Sequence, residues 1–241
     1  MSLSRRRVRG IFRKEFREFR RNRSIVVTMV ILPLIFTISP LVQILAIPTS
    51  SASALLSGDP LAYMLGIPAI VPAVIAAYAV VGERQQGTLE PVLTTPIRRE
   101  EFLLGKALAA LLPSLVISYV VYAIFIVCVV LFAHPGVASA ALQGSDLIAQ
   151  VLFTPLLALL SIWLGIAIST RSSETRVAQQ LGLLACLPSV AVTTLIAYDV
   201  IHATLGIAIV FGVVLLVLDR LGWRAVSAMF DRERLITGTR S

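Results

Sequence analysis

Hydrophobic and polar positions segregate along this chain into long blocks, with none of the short-range mixing of a soluble core. Six apolar runs, at 25–47, 61–81, 107–133, 147–170, 177–198 and 201–218, are separated by polar breaks. Each is long enough as a helix to cross ~30 Å of hydrocarbon. Ahead of the first run, Val8, Ile11, Phe12, Phe16 and Phe19 recur at helical spacing between basic residues. That pattern predicts an amphipathic helix lying in the membrane interface, its phenylalanines in the acyl boundary. After the last run, Trp223, Val226, Met229 and Phe230 predict a second interfacial helix. No internal repeat or linker interrupts the series. The expectation is an all-α polytopic membrane protein forming one domain over 1–241, with an interfacial helix at 1–24, a six-span bundle at 25–218 and a tail at 219–241.

One polar stretch breaks the pattern. Residues 83–106 lie between the second and third runs and form the longest polar segment between the first span and the last. Gly87 and Thr88 offer a turn and a helix start, and Pro91 and Pro96 divide the stretch into short pieces. On the short helix so defined, Leu89, Val92 and Leu93 fall at i, i+3 and i+4 and share one face. An apolar knob with a charged rim suits docking into a groove on another protein. A solvated loop between two helices is the plainer reading of the same residues.

Charge sets the orientation. Of 21 Lys and Arg, ten lie in residues 1–24, four in 83–106, two in 171–176 and five from 219 onward. The other three breaks hold none, and each carries one acid: Asp59, Asp146 and Asp199. By the positive-inside rule both termini and the 83–106 stretch are cytoplasmic. The net charge of +8 is therefore a topology signal, and no nucleic-acid partner is expected. Ser4-Arg5-Arg6 faintly suggests a targeting signal, but the apolar run that follows is too long for one, so the segment is read as retained.

Composition excludes much else. The chain is 57% hydrophobic, with a mean hydropathy of +0.90. No Asp, Glu, Lys, Arg or His lies in the middle of any run, where an ion-coupled carrier or voltage sensor would need one. The candidate lining of a cavity is limited to Thr28, Thr37, Gln43, Tyr78, Thr193 and Thr194. His134 and His202 sit at outer ends of spans, Cys128 and Cys186 are isolated in apolar runs, and Gly105-Lys106 lacks the rest of a phosphate loop. The chain reads as a non-enzyme with no catalytic, cofactor or metal residues of its own.

These residues resemble a family. Glu83-Arg84, Gly87-Thr88-Leu89-Glu90, Thr95-Pro96 and Gly105-Lys106, placed between the second and third of six spans, look like the membrane subunit of a prokaryotic ABC-2 type exporter. Ala178-Gln179-Gln180 at the fifth span and Phe230-Asp231-Arg232-Glu233-Arg234 in the tail add support, and the likeness covers nearly the whole chain. It implies a connecting helix using Ile11, Phe12, Phe16 and Phe19. It also implies a coupling helix in which Leu89, Val92 and Leu93 form the knob. Glu83, Arg84 and Glu90 would surround that knob, with Gly87, Thr88 and Pro96 shaping the element. Two copies of such a permease, identical or not, pair over two ATPase subunits that carry the ATP and Mg. The family's cavity lies between the permeases, with the second and fifth spans as walls, in a prokaryotic cell membrane. Arg98 departs from the pattern, standing where a small capping residue is common. The alternatives are a secondary transporter or channel not driven by ATP, and a membrane scaffold for a cytosolic partner.

Overall fold

The computed structural model describes residues 4–46, 60–87, 98–202 and 204–229, apart from the side chains of Ser24, Thr28 and Ala140. Within them the chain forms helices and no strand: α1 (Arg5–Arg21), α2 (Arg23–Ala46), α3 (Pro60–Met64), α4 (Gly66–Gln85), α5 (Arg99–Phe132), α6 (Pro135–Ala141), α7 (Gly144–Arg171), α8 (Thr175–Ala197) and α9 (Leu205–Met229). Six membrane-crossing lengths result, with α3 and α4 acting together as the second.

Three of the expected boundaries move. The third span starts at Arg99 rather than 107, because Glu101 supplies the missing cap: its carboxylate accepts the backbone N–H of Arg98 at 3.2 Å. The second span continues through Glu83 and Arg84 to Gln85 and ends at Gly87, whose φ of +67° suits a residue without Cβ. The sixth runs Leu205–Met229 rather than 201–218, so the expected tail helix is, as far as Met229, a continuation of that span. The edge-on contact of Trp163 with Trp223 ties this continuation to α7.

The bundle is built around α4. Every residue of it from Gly66 to Glu83 is buried except Tyr78. Helix α7 packs on it through a stripe of small residues at i, i+4 and i+8: Ser161, Gly165 and Ser169. At Gly165 an added Cβ would lie 2.6 Å from the Ala73 carbonyl oxygen, so only glycine permits this approach. Ser169 Oγ accepts the amides of Val80 at 3.0 Å and Val81 at 2.9 Å. Ser161 donates to the Ala69 carbonyl beside the carbonyl of Pro68, which Pro72 cannot bond because proline has no N–H. Helices α2, α5, α8 and α9 surround α4 and α7, and their outward faces are apolar and exposed, as lipid contact requires. The expectation that the second span walls a cavity between two copies fails here, because that span is enclosed within a single protomer.

The amphipathic helix also behaves differently. On α1, Ile11 and Phe19 are buried against the bundle rather than dipped into lipid, while Phe12 and Phe16 stack with their rings 5.8 Å apart on the outer side. Gly105 allows this docking, since a Cβ there would meet Ile11 at 2.6 Å.

Candidate coupling site

At the end of the bundle that carries the basic residues, α1 meets the last turn of α4 and the first turns of α5. These turns flank the 88–97 segment on either side. Lys106 lies on the inward stripe of α5 with Leu103 and Ala110, where burial leaves it 1% exposed. Its ammonium reaches Glu15 Oε1 at 2.9 Å, Glu83 Oε2 at 3.1 Å and the Ala79 carbonyl at 2.6 Å. The Glu15 and Ala79 contacts are hydrogen bonds, and the Glu83 contact is an ion pair. The Phe102 ring lies 4.8 Å from the same Nζ. Glu15 and Glu83 are 2% and 3% exposed. Lys14, half-exposed on α1, adds a hydrogen bond to Glu83 and approaches Glu18 at 3.4 Å. Two buried carboxylates and two ammonium groups from three helices thus form one neutral clasp.

A second contact lies beside it. Glu101, buried at the start of α5, accepts the Ser4 amide at 2.9 Å and pairs with Arg7 at 3.4 Å. Both ends of the α1 docking face are therefore fixed by carboxylates.

Burial of Glu15 disfavours its charged form more than Lys106 favours it, and the negative charge of Glu83 adds to the effect, so its carboxyl titrates above the usual range. For Lys14 partial burial lowers basicity, but the hydrogen bond and charge of Glu83 outweigh it and hold the ammonium above its ordinary value.

Arg84 and Gln85 face the other way. The Arg84 guanidinium donates to the carbonyls of Ser172 at 2.9 Å and Thr170 at 3.1 Å, covering the C-terminal end of α7. Gln85 accepts a hydrogen bond from Thr175 at 2.6 Å, at the start of α8. Three successive residues at the end of α4 therefore hold α1, α5, α7 and α8 in register.

Of the residues singled out from sequence, Glu83, Arg84, Ile11 and Phe19 come together in this assembly, with Gly87 just beyond it. Thr88, Leu89, Glu90, Val92, Leu93 and Pro96 lie outside the described residues, as does the side chain of Thr28. Thr37 and Thr193 are buried and donate to carbonyls of their own helices, Pro33 at 2.7 Å and Val190 at 3.0 Å. Gln43 is exposed and bonded to Ser39, Tyr78 accepts from Gln86, and Thr194 is half-buried. Nothing among these contacts gathers the six into one cavity within the protomer. Glu15, Lys14 and Glu101 went unnoticed, and Lys106 was read only as part of a motif. The signal was present: Glu15 stands midway between Ile11 and Phe19 at i±4, on the apolar stripe itself.

The arrangement offers no nucleophile paired with a base, and no group of three metal-ligating side chains occurs among the described residues. It defines a polytopic helical membrane protein whose basic end is braced at the two helices that flank residues 88–97. The chain belongs to the ABC-2 family transporter proteins, whose family model matches residues 9–218, and it is thereby the membrane permease component of an ABC transporter. No curated protein matches the chain.

Proposed function

We propose that this chain is the translocating subunit of an ABC exporter and is driven through the 88–97 segment by a separate ATPase. The observation that carries this reading is the bracing of that segment's two flanks. Glu83 precedes it, Lys106 follows it, and their 3.1 Å ion pair joins the two flanking helices. Glu15 adds α1 to the same clasp. A push on residues 88–97 would then move α1, α4 and α5 together, and through Arg84 the ends of α7 and α8. A free loop would dissipate such a push; a clasped one transmits it.

In this reading Leu89, Val92 and Leu93 enter a groove on the ATPase, and ATP and Mg are bound there rather than on this chain. Two permease copies pair in the cell membrane of a prokaryote with both termini cytoplasmic. The path lies between the copies, with α8 as the remaining candidate wall. A secondary carrier would have little use for a clasp around a cytoplasmic loop. The test is coupled activity: membranes containing this chain and an ABC ATPase subunit should export an amphiphile in an ATP-dependent manner, and membranes containing either alone should not. Single cysteines at Gln143 and His202 should label from outside intact cells while those at Gln86 and Ser173 stay protected. Labelling at Gln86 from outside would overturn orientation and coupling together.

A further inference from the structure

Beside the crossing of α1 and α5 runs a groove of about 470 Å³. Its floor is Leu104, Leu108 and Leu112, its wall Val8 and Phe12, and its mouth Arg5 and Arg9. The floor residues repeat every fourth position, so they trace a line of about 12 Å up α5, away from the basic end. Along this line exposure grows, from half-buried Leu104 and Leu108 to exposed Leu112. The groove thus opens toward the hydrocarbon. The two arginines that line it sit at i and i+4 on α1, both exposed. Unlike Arg7 and Lys14, which are spent on Glu101 and Glu83, neither makes an ion pair among the described residues.

An apolar trough leading into the acyl layer, with two uncommitted guanidinium groups lining it, has the polarity of one kind of molecule. We propose that this groove is a binding site for an anionic glycerophospholipid of the leaflet at the basic end. One acyl chain lies along the leucines against Val8 and Phe12. The phosphate receives charge-assisted hydrogen bonds from Arg5 and Arg9. The lipid becomes a wedge beside the Gly105 contact, filling what would otherwise be an open side of the α1–α5 junction. Charge complementarity selects this occupant: it alone joins a long acyl chain, to fill the leucine trough, to an anion for Arg5 and Arg9.

The test uses the full permease without any ATPase, so its failure is separate from failure of the transport reading. Protein purified from vesicles containing equal phosphatidylglycerol and phosphatidylcholine is examined by native mass spectrometry for retained lipid. The expected result is selective retention of phosphatidylglycerol. Arg5→Gln with Arg9→Gln should lower that retention by about tenfold. Leu108→Trp, which fills the trough, should remove lipids of both kinds from this site. Arg20→Gln with Arg21→Gln removes equal charge from the same helix away from the groove and should leave retention unchanged. Equal loss in that control would mean general surface attraction and would overturn the site. Equal retention of the two lipids would also overturn it, as would a change of oligomeric state in Leu108→Trp with lipid retention intact.

Discussion

Replacing Lys106 with Met removes the buried one of the two cations that Glu15 and Glu83 share, leaving them only the half-exposed Lys14. The side chain is of similar length and fits the same volume, so packing changes little. What changes is charge. Glu15 and Glu83 lose contacts of 2.9 and 3.1 Å, and the Ala79 carbonyl loses a 2.6 Å donor. Removing one partner of a buried pair costs about 3–5 kcal/mol. An independent bound agrees: forcing a proton onto an ordinary glutamate at pH 7 costs about 3.7 kcal/mol, at 1.36 kcal/mol per pH unit. The first contact to yield is α1, which hangs on the bundle through this face. The assay is the rate at which a maleimide labels Ile11→Cys in inside-out vesicles, because position 11 is covered only while α1 is docked. A loss of about 3 kcal/mol should raise the rate about 100-fold. Adding Glu15→Gln restores neutrality, leaving Glu83 with Lys14, and should recover about 2 kcal/mol of that loss. If Lys106→Met labels within twofold of the parent, or the second change deepens the defect, the clasp does not hold α1 and the reasoning fails.

Three further outcomes follow from the same contacts. Gly165→Ala should destabilise by about 1–3 kcal/mol, because its Cβ would meet backbone that cannot swing aside. Gly212→Ala, with 3.5 Å of room to Phe153, should be nearly silent, and thermal unfolding in detergent distinguishes the two. The raised carboxyl of Glu15 means the folded state binds more proton there than the unfolded one, so the contribution of Glu15 itself to α1 docking should weaken as pH rises through and above the ordinary carboxylate range. The pH slope of trypsin release of α1, corrected for rate on a peptide, should differ between the parent and Glu15→Gln in this direction, and equal slopes would refute it. Arg84→Ala should uncover the Thr170 and Ser172 carbonyls and cost about 1–3 kcal/mol, read as earlier thermal unfolding with α1 still protected.

The six spans and their order were legible because lipid imposes a block pattern that hydropathy reads directly. Boundaries were less so where a polar residue is satisfied by another element. Arg98 looked like a poor start for a helix, and only Glu101, three residues on, makes it one. Asp219 and Trp223 looked like the start of a tail, but Gly222 packs on Trp163 and the helix continues. At the site, Glu83 and Arg84 stood out because they interrupt an apolar run. Their partners did not: Glu15 is one of two acids in a strongly basic segment, and although its place on the apolar stripe marks it as buried, a pairing across 91 positions names no partner locally. The enclosure of α4 was hidden for a different reason. Its composition resembles that of a lipid-facing span, and only the small-residue stripe on α7 reveals what covers it.

The most direct measurement of the central claim is retention of an ATPase subunit on the purified permease. Leu89→Asp with Leu93→Asp places two carboxylates where the proposed knob meets an apolar groove, at a cost of several kcal/mol for each unpaired charge. The parent chain should hold its ATPase at equal stoichiometry. The double variant should reach the membrane in normal amount, keep α1 protected and lose the ATPase. Arg99→Ala, a change at an exposed charge, should alter retention by about 1 kcal/mol or less. If the double variant purifies with its ATPase at parental stoichiometry and still couples hydrolysis to export, the 88–97 segment is not the docking element and the account is wrong.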